Sequence, residues 1–158
     1  MIQRIQTVYL LLAVIFSVVA LCLPIGTVEV SGQTALGGSQ TVATVYNLWV
    51  VGNGACRFVT FPLFVLLVCA AALACYAIFG YRNRMSQARL CLFVSFLLLG
   101  WHVVYAVYSR VLAVPADGQS FSVSLAAALP FLSLVLCVMA RRAIIADERL
   151  VRAADRIR

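Results

Sequence analysis

The sequence contains no lysine, and only five of its 158 residues are acidic. All 12 cationic side chains are arginines, and His102 is the single histidine. Charged residues make up 11% of the chain and hydrophobic residues 65%, against about 25% and 45–50% in a soluble domain. A water-soluble fold of this length would lack the polar surface it needs, so the bilayer is the solvent that fits. The formal net charge of +7 would suggest nucleic acid if it formed one patch on a soluble fold. Here the arginines stand at the ends of apolar runs and along one tail. That distribution speaks for membrane topology and anionic lipid headgroups, and no nucleic-acid partner is expected.

Further absences narrow the chemistry. The five acids are Glu29, Asp117, Asp147, Glu148 and Asp155, so no carboxylate lies within any apolar run. The six cysteines (Cys22, Cys56, Cys69, Cys75, Cys91 and Cys137) form no CxxC pair and no Cys/His set with metal-ligand spacing. The missing CxxC argues against a disulfide-generating oxidoreductase, and the missing intramembrane carboxylate against a proton-coupled transporter. No nucleophile–base pair or phosphate-binding glycine loop occurs. No catalytic, cofactor-binding or metal-binding residue is therefore expected, and a membrane-bound enzyme ranks third among the functional readings. A disulfide between Cys22 and Cys56 is conceivable, because both fall towards the outer side.

What is present is four apolar spans: Thr7–Gly26, Phe58–Gly80, Leu90–Ser109 and Ser122–Ala140. Each approaches or reaches the roughly 20 residues that cross a bilayer at about 1.5 Å per residue. The third holds 11 Leu, Val or Phe residues, together roughly −3 to −7 kcal/mol of insertion free energy, which outweighs one central histidine. Arg4, the three arginines between spans two and three, and six in the tail stand on one side, against Arg57 and Arg110 on the other. Ten against two orients both termini to the cytoplasm. The opening MIQRIQT has no convincing cleavage site after its apolar run, so it reads as the foot of a retained helix. The predicted fold is thus an all-α, single-domain bundle of four transmembrane helices, N-in and C-in.

The outer loop 27–57 alternates apolar and polar residues in TVEVSG, passes through LGGS, and resumes β-branched and aromatic character in QTVATVYNLWVV, the pattern of a small β-hairpin. Asn53, between Gly52 and Gly54, marks a turn before the second span, which Thr60 can cap with Pro62 in its first turn. Pro130 predicts a kink in span four, since it removes the bond to the Ala126 carbonyl. The tail 141–158 continues span four as a helix, with Ala146, Leu150, Ala153 and Ile157 along one apolar stripe. Glu148 is spaced to pair with Arg152. Two readings of this rod stand: a helix lying on anionic headgroups, or a docking helix for a partner or a second copy.

Two groups of residues are candidates for function. Within span three, Ser95, His102 and Ser109 recur every seven residues beside Tyr105, with Trp101 adjacent. An ionisable group at that depth is a functional candidate, while a neutral histidine hydrogen-bonded across helices is the structural alternative. On the cytoplasmic side, Gln3, Arg4 and Gln6 face the same compartment as Asp147, Glu148, Arg152, Asp155 and Arg156, and a contact between foot and tail is expected. Small residues at i, i+4, i+7 in Ala13-Ser17-Ala20, Ala70-Ala74-Ala77 and Ser133-Cys137-Ala140 predict close helix packing.

The two ends, MIQRIQT leading into VYLLLA and the closing DERLVRAADRIR, resemble the four-span membrane proteins of Bacteroidota grouped as a domain-of-unknown-function family. The resemblance implies a cytoplasmic-membrane address and four helices, and brings no activity or cofactor with it. The functional expectation is a non-enzymatic accessory, scaffolding or assembly subunit, with a membrane-protein partner or a second copy of itself. The alternative is a small oligomeric transporter or pore using the His102 face.

Overall fold

A computed structural model describes the backbone of residues 3–32, 39–52, 55–80, 84–112 and 119–155. In chain order the elements are helix α1 (Gln3–Cys22), strands β1 (Gly26–Gly32), β2 (Ser39–Val45), β3 (Val50–Gly52) and β4 (Ala55–Arg57), helices α2 (Phe61–Phe79) and α3 (Arg84–Leu112), strand β5 (Gln119–Val123), a 3-10 turn (Leu125–Ala128) and helix α4 (Leu129–Asp155). All four α-helices are long and apolar enough to cross a membrane. They form a ring in which α1 packs on α2 and α4, and α3 on the same two neighbours.

The interior of the ring follows one spacing. Buried positions are Gln6, Leu10, Ala13, Ser17 and Ala20 on α1, and Leu63, Leu67, Ala70, Ala74 and Ala77 on α2. On α3 they include Cys91, Val94, Leu98 and Trp101, and on α4 Pro130, Ser133, Cys137, Ala140 and Ile144. Steps of three and four alternate throughout, the 3.5-residue seam of left-handed coiled packing. Every residue of the three small-residue stripes is buried in this seam. Many other large apolar side chains point the other way, as Val8, Leu11 and Ile15 do on α1 and Phe93, Phe96 and Val103 on α3. Lipid tails are as apolar as leucine, so helices gain by close backbone approach over small residues rather than by hiding large ones. Between α1 and α4 the approach admits a hydroxyl cluster: Ser133 Oγ lies 3.1 Å from the Ala13 carbonyl and 3.2 Å from Ser17 Oγ, which is itself 2.8 Å from the Ala13 carbonyl.

One end of the bundle carries a five-stranded antiparallel sheet in the order β4-β3-β2-β1-β5. The loop 27–57, with Gly26, thus supplies four strands rather than a hairpin alone, and the fifth comes from the connection between α3 and α4. In register, Val28 stands opposite Ala43 on one side and Phe121 on the other. The period of two turns Val28 towards the core and leaves Glu29 exposed. Gly26 lets the Phe121 ring lie against the backbone, since a Cβ there would stand 2.5 Å from Phe121 Cζ and the ring would have to shift.

Several boundaries differ from the sequence reading. Ser122 and Val123 belong to β5, so the helical part of span four starts later, with the 3-10 turn at Leu125 and α4 at Leu129. Pro130 consequently occupies the first turn of α4, where no intrahelical N–H is lost, and an interior kink does not arise. The Ala126 carbonyl instead accepts the Leu129 N–H in the 3-10 turn. Thr60 is the N-cap residue of α2 with Pro62 following, but its hydroxyl makes no cap bond and donates elsewhere. Helix α3 starts at Arg84 and α4 continues through the tail to Asp155, as one rod. The turn at Asn53 and Gly54, and the tail residues Arg156 and Ile157, lie outside the described residues.

Candidate functional site

The best-connected polar site lies where the sheet meets the bundle. Asn47, on the turn between β2 and β3, is fully buried. Its Nδ2 donates to the Ala20 carbonyl at 2.7 Å, and its Oδ1 accepts the Trp101 indole N–H at 3.1 Å. Ala20 is in the last turn of α1, whose carbonyls have no partner within the helix, so Asn47 completes that terminus. Tyr105 donates to the Ile25 carbonyl at 2.9 Å, and the same carbonyl accepts the Ser124 N–H. Tyr108 donates to the Val59 carbonyl, and Thr60 to the Tyr46 carbonyl, both at 2.9 Å. Trp101, Tyr105 and Tyr108 continue the α3 seam in steps of four and three. The seam changes there from apolar residues to aromatics whose bodies pack and whose tips hydrogen-bond. The Trp101 and Tyr105 rings stack at 5.1 Å and 6°, and Phe121 closes on Tyr105 edge to face at 6.2 Å.

This arrangement separates the members of the proposed span-three site. Trp101 is wholly buried, and it and Tyr105 bond to the sheet end. Ser95, His102 and Ser109 instead bond to carbonyls of their own helix, at Cys91, Leu98 and Ala106. The cross-helix bond expected for His102 is therefore replaced by an i−4 bond of 2.7 Å. A carbonyl only accepts, so Nδ1 carries a proton and donates it. Nε2 is buried without a hydrogen bond, and the ring stands edge-on to Phe131 of α4 at 6.0 Å.

At the opposite end, Gln6 is buried in the seam and its Nε2 makes no hydrogen bond. Gln87 of α3 is buried as well, a residue the sequence reading did not single out. Asp147 and Glu148 are half-buried on α4, and Glu148 accepts from Arg152 Nε at 3.1 Å. Ala146, Leu150 and Ala153 face away from the bundle, so the predicted tail stripe is an exposed one. The side chains of Gln3, Arg4 and Asp155, and all of Arg156, lie outside the described residues.

Chemically, the sheet-end site is saturated: each polar tip named there already has its partner. Among the described residues no three His, Cys, Asp or Glu side chains come together as metal ligands. Cys22 and Cys56 are exposed free thiols, while Cys91 and Cys137 fill the interior seam. Asn47, which carries the junction, was detectable in the sequence only as a lone amide in the run TVATVYNLWVV.

Fold and site together define a bundle of four helices of membrane-crossing length, closed at one end by a hydrogen-bonded sheet. Residues 2–157 match the model of a family described as a domain of unknown function, DUF4293, and the chain belongs to that family. No curated protein matches it.

Proposed function

We propose that this chain is a non-enzymatic, multi-pass subunit of a bacterial cytoplasmic membrane that acts as an accessory, scaffolding or assembly factor through its terminal end. The arginine distribution, ten against two, supports an orientation with both termini in the cytoplasm. The resemblance of the termini supports an origin in Bacteroidota. The observation that carries the reading is the exposed stripe Ala146, Leu150 and Ala153 on the far end of α4. At 27 residues α4 is about 40 Å long, while a hydrocarbon core is about 30 Å thick, so roughly 10 Å of rod projects beyond it. A projecting apolar stripe fits a membrane-protein partner or a second copy, and the flanking arginines fit anionic headgroups. Purification in mild detergent after crosslinking in cells tests this. A defined partner or a homo-oligomer is expected, lost in Leu150→Glu, and a strictly monomeric, partnerless protein would overturn the reading. Orientation has its own test. An impermeant thiol reagent applied from outside should label exposed Cys56 and spare a cysteine introduced at Ala153.

A second reading, a small oligomeric transporter or pore, draws on the unbonded Nε2 of His102. It requires that His102→Leu abolish a flux or phenotype at unchanged abundance. Normal function in that variant eliminates it.

A further inference from the structure

On the outer face of the α3–α4 pair, two depressions of about 280 and 380 Å³ run into one another at Leu92 and Arg141, which line both. The larger is walled by Leu92, Phe96, Leu99, Leu134 and Val138. Arg142 borders the larger, Arg89 the smaller, and Arg141 stands between them. Arg141 is half-buried; Arg89 and Arg142 are exposed. Among the described residues none of the three forms an ion pair, in contrast to Arg152. The depressions are therefore one groove, apolar towards mid-bundle, with the three arginines beside its middle and Met85, Ala88 and Ile145 beyond them.

We propose that this groove binds one anionic glycerophospholipid, with its phosphate on Arg89, Arg141 and Arg142 and an acyl chain along the apolar walls. The site rests on the membrane reading given above and adds a specific ligand to it. The dimensions agree. From Arg141 to Leu134 is seven residues of helix, about 10 Å of rise, well within a leaflet whose hydrocarbon is about 15 Å deep. The arginines thus lie at headgroup height when the apolar walls lie among the tails. Guanidinium groups match phosphate oxygens through paired N–H donors and are weakly hydrated, which suits a partly buried site. Among the described residues no carboxylate lines the groove to compete with a phosphate. Basic pockets between helices at the cytoplasmic side are sites of this kind.

The test is native mass spectrometry of the full chain, released from mixed micelles holding equal phosphatidylglycerol and phosphatidylcholine. The protein should retain phosphatidylglycerol in preference by on the order of tenfold or more. The triple variant Arg89→Gln, Arg141→Gln, Arg142→Gln should lose that preference, and Val138→Trp, which fills the groove from its exposed side, should reduce retention. The double variant Arg149→Gln, Arg152→Gln removes as much tail charge but keeps the groove, and should retain most of the preference. Should the triple variant not fold, the three single substitutions and Val138→Trp carry the same comparison. Equal retention of both lipids by the wild type, or a loss in the tail variant as large as in the groove variants, overturns the proposal. Carbonate extraction of the same cells separates the two readings: a protein washed from the membrane defeats both. A carbonate-resistant protein without lipid preference defeats this inference alone.

Discussion

The two ends of the bundle handle polarity in opposite ways. At the sheet end, Asn47, Thr60, Trp101, Tyr105 and Tyr108 spend their polar atoms on the backbone or on one another. At the terminal end, Gln6 is buried with its amide nitrogen unbonded, and Arg89, Arg141 and Arg142 stand beside an open groove. Satisfied groups hold a fold in place, whereas unsatisfied ones keep the capacity to bind. The contrast predicts that stability concentrates at the sheet end and supports the contacts proposed for the other.

The largest test of that contrast is Trp101→Ala. It empties the volume of a wholly buried indole and strands Asn47, and should cost about 3–5 kcal/mol in reversible unfolding in detergent. A loss below about 1 kcal/mol would break the comparison. Next, Asn47→Leu removes the partner of both the Ala20 carbonyl and the Trp101 N–H, at about 1–3 kcal/mol for each orphaned group. Its counterpart Gln6→Leu should leave stability unchanged or raise it by up to about 1 kcal/mol, because a buried amide whose nitrogen is unbonded is replaced by an apolar side chain. Gly26→Val drives a side chain into Phe121 and should cost about 1–3 kcal/mol, part of which Phe121→Ala recovers in the double variant. The smallest effect belongs to Glu148→Gln. Its pairing with Arg152, itself 67% exposed, is worth at most about 0.5 kcal/mol, and its loss should be invisible in the same unfolding assay.

Legibility in the sequence follows the range of the interaction concerned. The stripes Ala13-Ser17-Ala20, Ala70-Ala74-Ala77 and Ser133-Cys137-Ala140 were readable because close helix approach in lipid selects small residues at a local spacing. The continuation of α4 into the tail was readable for the same reason, as an unbroken helical pattern with no stop signal. Helical period groups residues on a face without saying which face turns inward. For the tail, Cys137, Ala140 and Ile144 decide it, and they leave Leu150 outside. What escaped was long-range. Strand β5 is five residues, and it is a strand only because β1 presents an edge to it. Asn47 matters because Trp101, 54 positions away, meets its amide oxygen. Pro130 was misplaced as a consequence of β5, since the strand displaced the start of the helix. The His102 face failed to cohere because the junction draws Trp101 and Tyr105 inward, while the i−4 carbonyl is close enough to occupy His102 locally.

The pairing of β1 with β5 also sets the order of events during synthesis. Val30 and Gln119, partners in that ladder, are about 90 residues apart in the chain. At roughly 5–20 residues per second, β1 exists for roughly 5–18 seconds before its second neighbour leaves the ribosome. During that interval the nascent sheet has an open edge of unpaired N–H and C=O groups, the kind of edge that recruits foreign strands. The last strand to be made is thus the one that covers β1 and takes over as the edge, so β1 itself is open to mispairing until just before α4 is added.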